Sequence, residues 1–471
     1  MKLTFIGAGG VRTPLVMQSV LNYQDRLPLD TVCMMDIDPE RLDLMRLACK
    51  PRLAKGAKFK IDWTTDAKQA IDGADFIVTT FRQGSLESRV IDEQVPLKYG
   101  VLGQETTGPG GFAMALRTVP VILDYVEKIK KWAPNAWLLN FTNPAGILTE
   151  TITRVGGFER AVGICDNPAA MMRAAAAFLH VEVDDLFPEY YGINHLGWMR
   201  GLYLNGRNVV PEIIQTLKNS GAFLEHFPFD INEVEALGSI PNEYNYFFYY
   251  PRKSVENLVA SGQSRAKQIL PFNQALYASL RKIRDEEDDP KKIQEVYTHY
   301  LAQRHGTYMT LETGQKTTKE TLEVKEASDV GKVNETMDES AEGYSNVALN
   351  VIEALTVKPK VMILNVPNRS ALPGMAEDDV IETTVMIGNG VVRPFAMGAL
   401  PEADLGLMKS VKAYERLTIE AAVKDSYPLA LKALTLHPLV PGYDIAKQIL
   451  DDYLAQHGDY FPKLGYTTKT S

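Results

Sequence analysis

KLTFIGAGGVRTP, at residues 2–14, is the stretch of sequence that decides the fold. A short and mostly apolar run at residues 2–6 leads directly into Gly7, Gly9 and Gly10, and a helical pattern then continues to about residue 23. A buried strand that passes through glycines into a helix is typical of the first unit of a doubly wound sheet. This stretch therefore predicts an α/β fold.

Apolar runs alternate with amphipathic helical segments through roughly the first 200 residues. Runs that are apolar throughout predict strands buried on both faces, and their alternation with helices predicts a Rossmann-like, doubly wound parallel sheet. Beyond this region the alternation weakens, which indicates a second lobe of mixed α/β type. We therefore predict one domain at residues 1–195 and another at residues 196–471. Further strands are expected at residues 31–38, 58–63, 75–80, 136–141 and 161–165.

The composition excludes several classes of partner. The chain has 471 residues and a net charge of −9, which argues against nucleic acid as a ligand. No stretch approaches the roughly 20 apolar residues of a membrane span. The three cysteines, Cys33, Cys49 and Cys165, are too few for a disulfide framework, which favours a reducing compartment. We therefore expect a soluble, cytoplasmic protein with no membrane partner.

The glycine turn and an acid downstream point to a dinucleotide. Gly7 permits a tight turn after the first strand, and Gly9 and Gly10 let the backbone approach a pyrophosphate at the N-terminus of the helix. Asp36 closes the second predicted strand, where a carboxylate can accept hydrogen bonds from ribose hydroxyls. Arg12 stands where the third glycine of the usual motif would be. The plain alternative is a tight turn without a ligand.

A cysteine and a histidine form the second candidate site. Cys165 lies at the predicted end of the strand 161–165, where open α/β sheets place their ligands, and His195 follows in the stretch GINHLGW. Two such ligands are too few for a structural zinc site, but they suit a metal ion with open positions for substrate and water. From spacing alone, a buried cysteine, a core histidine and a helix-capping Asp166 are the simpler interpretation.

An ordered set of motifs resembles one enzyme family along nearly the whole chain. The set resembles the NAD-dependent, divalent-metal-dependent glycosidases of glycoside hydrolase family 4, with the 6-phospho-glucosidases as its nearest members. The resemblance covers roughly residues 1–445, and its motifs are specific as an ordered set. They are GAGG, DIDPERL, FRQGSLESRVIDE, GQETTGPGGFAMALRT, NFTNPAGI, GICDNP, GINHLGW and AYERLTIEAAV.

The resemblance implies a role for each residue of the second site. Cys165 and His195 match the family's ligands of Mn2+ or another divalent metal, and Asp166 matches the proton donor to the leaving oxygen. Tyr244, in PNEYNYFFYY, matches the tyrosine that removes the proton from carbon 2 of the sugar. The implied route is oxidation of carbon 3 by NAD, elimination of the aglycone, addition of water and return of the hydride. The net reaction is hydrolysis.

Further positions match the family's sugar and cofactor contacts. Arg89 and Asn143 correspond to substrate-binding positions, and Glu105 and Thr106 correspond to the segment around cofactor and sugar. Arg265 is the expected ligand of a substrate phosphate, because a planar guanidinium recognises phosphate well. The simpler interpretations are an ordinary salt bridge for Arg89, a helix cap for Asn143, a solvated turn for Glu105 and a surface position for Arg265.

The substrate implied by the resemblance is a 6-phospho-glycoside, with a 6-phospho-β-glucoside preferred. Asp166 is more usual in members that act on α-linked phosphosugars, so a 6-phospho-α-glucosidase is an alternative, as is a member acting on unphosphorylated glycosides. An NAD-dependent hydroxy-acid dehydrogenase and a nucleotide-sensing binding protein are rival interpretations from outside the hydrolases. The resemblance also implies a homodimer or homotetramer, with the domain at residues 196–471 contributing to the substrate and metal site and to oligomerisation.

Overall fold

A mixed sheet of nine strands runs through the centre of the protein. The computed structural model describes residues 1–54, 56–220, 228–286, 289–305, 307–314 and 346–465. The strands of this sheet are β1 (Lys2–Ile6), β2 (Thr31–Met35), β3 (Lys60–Thr64), β4 (Phe76–Thr79), β5 (Trp137–Asn140), β6 (Ala161–Gly163), β11 (Lys360–Pro367), β12 (Val380–Gly388) and β13 (Val391–Pro394). Within the described residues their order is β13-β12-β11-β6-β5-β4-β1-β2-β3.

The first six strands are parallel and confirm the predicted Rossmann-like sheet. Their spatial order, β3-β2-β1-β4-β5-β6, reverses direction between β1 and β4, which is the arrangement of a dinucleotide-binding sheet. Both faces are covered, and alternate residues of β1 enter different parts of the core. Leu3 and Phe5 pack in one hydrophobic cluster and Ile6 packs in another. This burial on two faces explains why these strands are apolar throughout.

The last three strands of the large sheet come from the C-terminal part of the chain. β11 pairs antiparallel with β6 through Asn365 and Gly163, and β12 and β13 continue the sheet antiparallel. Strands from both sides of residue 195 therefore share one sheet. Whether residues 1–195 and 196–471 behave as separate domains stays a prediction.

A second, smaller sheet lies against β12. Its strands are β7 (Leu186–Ile193), β8 (Leu196–Leu204), β9 (Arg207–Asn208) and β10 (Ile240–Pro241). Side-chain hydroxyls of β12 connect the two sheets: the Tyr190 N–H donates to Thr384 Oγ1 at 3.0 Å, and Thr383 Oγ1 donates to the Tyr190 carbonyl at 2.9 Å. These bonds satisfy buried backbone groups that face β12, and so they fix the position of the hairpin β7–β8.

Helices cover both faces of the large sheet, and no helix of the described residues is long and apolar enough to cross a membrane. In several of them a Pro or an acidic N-cap marks the start; Asp38, for example, accepts from the N–H groups of Glu40 and Arg41. The helices are Thr13–Tyr23, Pro39–Leu53, Ala67–Ile71, Ser85–Leu97, Pro109–Trp132, Ala145–Glu150, Asp166–Leu179, Val210–Ser220, Ile231–Leu237, Tyr246–Tyr249, Pro251–Ser261, Arg265–Glu286, Pro290–His305, Thr310–Thr313, 346–356, Glu402–Lys424, Tyr427–Leu436 and Tyr443–Gln456.

Two of the predicted strands end at least two residues earlier in the structure than the sequence indicated. β2 ends at Met35 and not at residue 38, because Asp38 caps the next helix. β6 ends at Gly163, which is the last residue to pair with β5 and β11, so Cys165 does not end a strand. Cys165 is instead the N-cap residue of the helix Asp166–Leu179.

The turn after β1 requires glycine at residue 7. Gly7 has φ +107°, and a Cβ atom at this position would lie 2.5 Å from the backbone nitrogen of Phe81. The backbone after β4 therefore approaches the turn more closely than any side chain allows.

We predict that Gly7→Ala lowers the free energy of unfolding by about 3 kcal/mol, because it combines an unfavourable φ with a backbone clash. Gly73→Ala is the matched control: Gly73 has φ +68° but open space around it, so only the strain of about 1 kcal/mol is expected. Urea unfolding of both variants measures the difference. Equal losses of stability would show that close approach does not constrain residue 7.

Candidate functional site

The C-terminal ends of the parallel strands bring the expected site residues to one edge of the large sheet. The glycine turn follows β1, Asp36 follows β2, Asn143 follows β5, and Cys165 follows β6. Because parallel strands point the same way, segments distant in sequence meet at this edge. The sequence predictions for the glycine turn, Asp36 and Cys165 depend on where strands end, whereas the prediction for Asn143 came from the family resemblance.

Asp36 holds the glycine turn in place. Its Oδ2 accepts from the Gly9 N–H at 2.7 Å, and its Oδ1 accepts from the Asp38 N–H at 3.0 Å. A Cβ atom on Gly9 would lie 2.8 Å from the Asp36 carboxyl, so glycine is required for this contact. Tyr277 also donates its hydroxyl to the Gly9 carbonyl at 3.2 Å. Asp36 therefore shapes the turn, and as a half-buried carboxylate it retains lone pairs for a ligand.

Cys165 and His195 lie side by side, as the sequence resemblance implied. Cys165 Sγ is 3.5 Å from His195 Nε2. A thiolate sulfur about 2.3 Å from a metal ion and an imidazole nitrogen about 2.0 Å from the same ion, at a tetrahedral angle, are about 3.5 Å from each other. The backbone N–H of Asn167, in the first turn of the helix Asp166–Leu179, bonds the sulfur, and this contact and the helix N-terminus both favour a thiolate. The pair therefore fits a divalent metal.

The hairpin turn between β7 and β8 presents His195 to this site. His195 has φ +64°, a left-handed conformation that is uncommon for a residue with a side chain. Its Nδ1 is 2.6 Å from Thr106 Oγ1, and Thr106 in turn donates to Gln104 Oε1 at 3.1 Å. Because the Thr106 hydroxyl donates its hydrogen to Gln104, it can only accept a hydrogen bond from His195. The imidazole hydrogen is therefore on Nδ1 of His195. This order leaves the lone pair of Nε2 directed toward Cys165, as a metal ligand requires.

Burial keeps both candidate ligands neutral in the protein alone. It lowers the pKa of His195 to about 4, so the imidazole is uncharged at neutral pH. It raises the pKa of the Cys165 thiol well above its usual value, and the carboxylates of Glu382 and Asp166 add to the effect. In the described residues no third histidine, cysteine or acid completes a metal cluster with the pair. An ion held here would keep positions open for substrate and water.

Tyr244 packs directly on His195. The two rings are stacked with centroids 3.8 Å apart and planes 8° apart. Hydrogen bonds to β8 fix this position: the Asn242 N–H donates to the Gly197 carbonyl at 2.9 Å, and the Gly197 N–H donates to Asn245 Oδ1 at 3.0 Å. The aromatic block at residues 241–250 is thus attached to the strand that follows the His195 turn.

The hydroxyl of Tyr244 connects to two further residues that the sequence did not single out. It is 3.3 Å from the hydroxyl of Tyr308, which donates to Glu243 Oε1 at 2.8 Å. Burial raises the pKa of Glu243 to about 7, and burial together with Glu243 raises the pKa of Tyr244 well above its usual value. Asp166 is close enough to raise both of these pKa values. The phenol, two carboxyl groups and the Cys165–His195 pair therefore share one site.

Arg89 and Glu105 bind each other close to Tyr244 and His195. Arg89 Nη1 is 2.8 Å from Glu105 Oε2, and Arg89 Nε donates to Glu93 Oε1 at 2.6 Å. Arg82 forms a second ion pair with Glu105. Burial alone would raise the pKa of the Glu105 carboxyl, but Arg82 and Arg89 more than offset it and the pKa lies below its usual range. Both predicted residues are thus charged, and their roles toward ligands stay predictions.

Arg265 has protein partners that the sequence did not suggest. Its Nη1 donates to the Thr307 carbonyl at 2.7 Å and to Gln268 Oε1 at 2.6 Å, and its Nη2 donates to the Arg304 carbonyl at 2.8 Å. It is therefore a buried residue and not a surface arginine. Asn143 is half-buried, and no hydrogen bond of its side chain is found among the residues that the structure describes.

Glu382 and Asn194 are two further residues near Cys165 and His195 that the sequence did not indicate. Asn194 Nδ2 donates to Glu382 Oε1 at 3.0 Å, and the Asn194 side chain lies close enough to Cys165 to lower the pKa of its thiol. One feature of the sequence could have indicated Glu382: it is the lone acid in the otherwise uncharged strand VIETTVMIG. A charged residue in such a strand indicates a buried polar contact.

The chain matches sequence models of one family over most of its length. Residues 2–181 match the family 4 glycosyl hydrolase model, and residues 190–440 match the family 4 glycosyl hydrolase C-terminal domain model. A probable 6-phospho-beta-glucosidase from Bacillus subtilis (strain 168) is 32% identical over an alignment 480 residues long, which covers 98% of each chain.

Solved structures agree over the same length. The 6-phospho-beta glucosidase from Thermotoga maritima, solved with manganese, NAD+ and glucose-6-phosphate, has a TM-score of 0.78 and 28% identity, covering 98% of this chain and 100% of that one. A 6-phospho-alpha-glucosidase from gut microorganisms, solved in complex with NAD and Mn2+, has a TM-score of 0.80 and 26% identity, covering 98% and 99% of the two chains.

We predict that Cys165→Ser and His195→Ala each weaken Mn2+ binding by roughly 100-fold or more, because each removes one of two protein ligands. NAD+ binding should persist, since the glycine turn is unchanged. Calorimetric titration of Mn2+ and of NAD+ into each variant measures both effects.

Cys49→Ala is the control for this experiment. Cys49 is fully buried in the helix Pro39–Leu53, so its loss should cost about 1 kcal/mol of stability and leave Mn2+ affinity unchanged. Wild-type affinity for Mn2+ in either Cys165→Ser or His195→Ala would remove that residue from the site.

Proposed function

Because the chain belongs to the family 4 glycosyl hydrolases, we propose that it hydrolyses 6-phospho-glucosides with NAD and Mn2+, preferring the β-linked substrates. The observation that supports this most directly is the contact between Cys165, His195 and Tyr244 at the C-terminal edge of the sheet. A hydroxy-acid dehydrogenase would have no need of such a cysteine, and a nucleotide-sensing protein would have no need of the tyrosine. Neither of these two classes fits membership in a hydrolase family.

The chain supplies a place for each of the two groups. Gly7, Gly9 and Asp36 would hold NAD at the turn after β1, and Cys165 and His195 would hold the metal. When bound, these groups supply a reversible hydride acceptor for carbon 3 of the sugar and a Lewis acid for the ketone formed there. All other parts of the reaction fall to side chains.

Tyr244 is proposed to remove the proton from carbon 2. Its hydroxyl has a neighbour at 3.3 Å in Tyr308, which donates to Glu243. This order gives the proton a route away from the sugar through hydroxyl and carboxyl groups. Because burial raises the pKa of Tyr244 in the protein alone, the phenol can act as a base at neutral pH only beside a positive charge, and the stacked His195 is a proposed ligand of that charge.

Asp166 is proposed to protonate the leaving oxygen. It is the first residue of the helix Asp166–Leu179, directly after the proposed ligand Cys165, and it is only half-buried. Its influence on the pKa values of Glu243 and Tyr244 indicates that all three side chains face the same space. An acid for the leaving oxygen and a base for the proton on carbon 2 are the two proton-transfer groups that this elimination requires.

A group of arginines supports a phosphorylated substrate. Burial lowers the pKa of Arg265 to about 10, and repulsion from Arg304 contributes. Burial also lowers the pKa of Arg304, and Arg12 and Arg89 contribute by repulsion. Like charges this close favour an anion between them, and phosphate is the anion that guanidinium groups bind best. We propose that the phosphate of the substrate binds within this group of arginines.

A 6-phospho-α-glucosidase is the second candidate. One of the similar structures, from gut microorganisms, is a 6-phospho-alpha-glucosidase in complex with NAD and Mn2+. The family resemblance also associates an aspartate at residue 166 with enzymes that act on α-linked substrates. Oxidation at carbon 3 and proton removal at carbon 2 do not select an anomer, because neither step breaks a bond at carbon 1. Activity on chromogenic α- and β-linked 6-phospho-glucosides separates the two candidates.

We further propose a cytoplasmic homodimer or homotetramer. A phosphorylated sugar is a cytoplasmic type of substrate, because its charge keeps it from crossing a membrane. Light scattering of the purified protein measures the number of subunits.

We predict that a chromogenic 6-phospho-glucoside exceeds the free glucoside by at least about 100-fold in kcat/KM, because two charge-assisted hydrogen bonds contribute at least about 1.5 kcal/mol each. Arg304→Met should reduce this ratio while leaving activity on the free glucoside similar. Arg252→Met is the control, since Arg252 is 92% exposed. Equal rates on the two substrates in the wild-type protein would contradict a phosphate requirement.

We predict that turnover in D2O places deuterium on carbon 2 of the product sugar, because the proton leaves that carbon during elimination. Tyr244→Phe should suppress the exchange while NAD+ and Mn2+ still bind, since only the hydroxyl is lost. Mass spectrometry or NMR of the product measures the incorporation.

Tyr250→Phe is the matched control in the same aromatic block, because the Tyr250 hydroxyl is buried without a hydrogen-bond partner among the described residues. It should exchange at the wild-type rate. Product without deuterium from the wild-type enzyme, together with no isotope effect from substrate deuterated at carbon 2 or carbon 3, would contradict elimination. Normal exchange in Tyr244→Phe would mean that another residue is the base.

A further inference from the structure

Glu382 is a fully buried acid near the start of β12, next to the proposed metal ligands. Its Oε1 accepts from Asn194 Nδ2 at 3.0 Å and from Asn365 Nδ2 at 2.9 Å, and its Oε2 accepts from the Tyr190 hydroxyl at 3.0 Å. Asn242 Nδ2 donates to the same hydroxyl at 3.1 Å. Three donors on one carboxyl group offset much of the cost of burying it.

Asn194 carries the effect of this carboxyl group to the metal ligands. It precedes His195 in the hairpin turn, and its amide nitrogen has two hydrogens, one of which bonds Glu382. The same side chain lies next to the Cys165 sulfur. Because Glu382 Oε1 can only accept in this contact, it fixes which end of the Asn194 amide points inward, so an N–H group and not the carbonyl oxygen faces the sulfur.

We propose that Glu382 is a positioning residue of the metal site, which acts through Asn194 to hold the Cys165 sulfur and the His195 turn in the geometry that binds the ion. This inference rests on the proposed metal site. Glu382 touches neither the sulfur nor the imidazole by any hydrogen bond in the described residues. Its contribution is to make one arrangement of the turn more stable than the others.

The contact connects three parts of the fold at one point. Glu382 belongs to β12, Asn365 belongs to β11, and Asn194 belongs to the turn between β7 and β8. Burial raises the pKa of Glu382 to about 7, yet Oε1 accepts the two amides whether or not Oε2 carries a proton. The positioning role is therefore the same on either side of that pH.

An acid that served the fold alone would be a poor choice at this position. An apolar residue of similar size in a buried strand is usually as stable as a buried carboxyl group or more so. Glu382 instead imposes a direction on Asn194 that no apolar residue can impose. Variants of Glu382 can therefore be tested for a change in Mn2+ affinity that is separate from any change in stability.

The experiment is a Mn2+ titration of the full-length protein by calorimetry, with NAD+ affinity and thermal stability measured on each variant. Glu382→Ala and Asn194→Ala should each weaken Mn2+ binding by about 10- to 100-fold, the usual effect of losing a residue that orients a metal ligand. The double variant should be no weaker than the weaker single variant, because both changes break one connection. NAD+ affinity should be unchanged in all three.

Two conservative variants separate positioning from charge and from stability. Glu382→Gln keeps an oxygen that accepts from both amides, so Mn2+ should bind within about threefold of wild type. If Glu382→Gln is as weak as Glu382→Ala, the negative charge matters and not the oriented bond, and the proposal is wrong. Tyr190→Phe removes the bond to Oε2 only, so it should lower the melting temperature while Mn2+ affinity stays near that of wild type. Weak Mn2+ binding in Tyr190→Phe would attribute the effect to general loss of stability and would also overturn the proposal.

A comparison with Cys165→Ser distinguishes this inference from the proposed function. If Cys165→Ser binds Mn2+ as wild type does, the metal site itself is misplaced and both proposals fail. If Cys165→Ser loses Mn2+ but Glu382→Ala keeps wild-type affinity, only the role of Glu382 is rejected.

Discussion

The common direction of β1, β2, β4, β5 and β6 is the constraint on which the site depends. Backbone hydrogen bonds between parallel strands require all of these strands to end at the same edge, and each connection to the next strand therefore begins there. The glycine turn, Asp36, Asn143 and Cys165 meet because of this geometry and not because of any attraction between them. The reversal of strand order beside β1 leaves a crevice in which a ligand can lie across their ends.

The small sheet supplies the half of the site that the large sheet lacks. His195 lies on the turn of the hairpin β7–β8, and hydroxyl groups of Thr383 and Thr384 hold that hairpin on β12. β8 then holds the block that carries Tyr244 through the backbone of Gly197. The left-handed backbone of His195 is thus one member of a connected set, in which each contact limits where the next residue can lie.

The sequence was sufficient for those parts of the fold and site that depend on local pattern. Apolar runs gave the six parallel strands, and strand ends gave Gly7, Asp36 and Cys165. The residues alone left the pairing of Cys165 with His195 as one of two interpretations, and the family resemblance decided between them, because nothing in a separation of 30 residues fixes a contact between a helix cap and a hairpin turn. Glu382 and Asn365 were not foreseen, since their position depends on β11 pairing antiparallel with β6, and long-range pairing leaves no local signal. The partners of Arg265 were missed for the same reason, because most of them lie in a segment distant in sequence.

The Cys165–His195 contact joins two sheets that also pack against each other through apolar side chains and through hydroxyl and amide bonds. Cys165 follows a strand of the large sheet, and His195 lies on the turn of the small one. An ion held by both side chains is therefore a cross-link as well as a reagent. By thermodynamic linkage, its binding energy adds to the cohesion of the two sheets, and any loosening of their contact lowers the affinity for the ion by the same amount. Occupancy of the site and docking of the hairpin are thus two measures of one equilibrium.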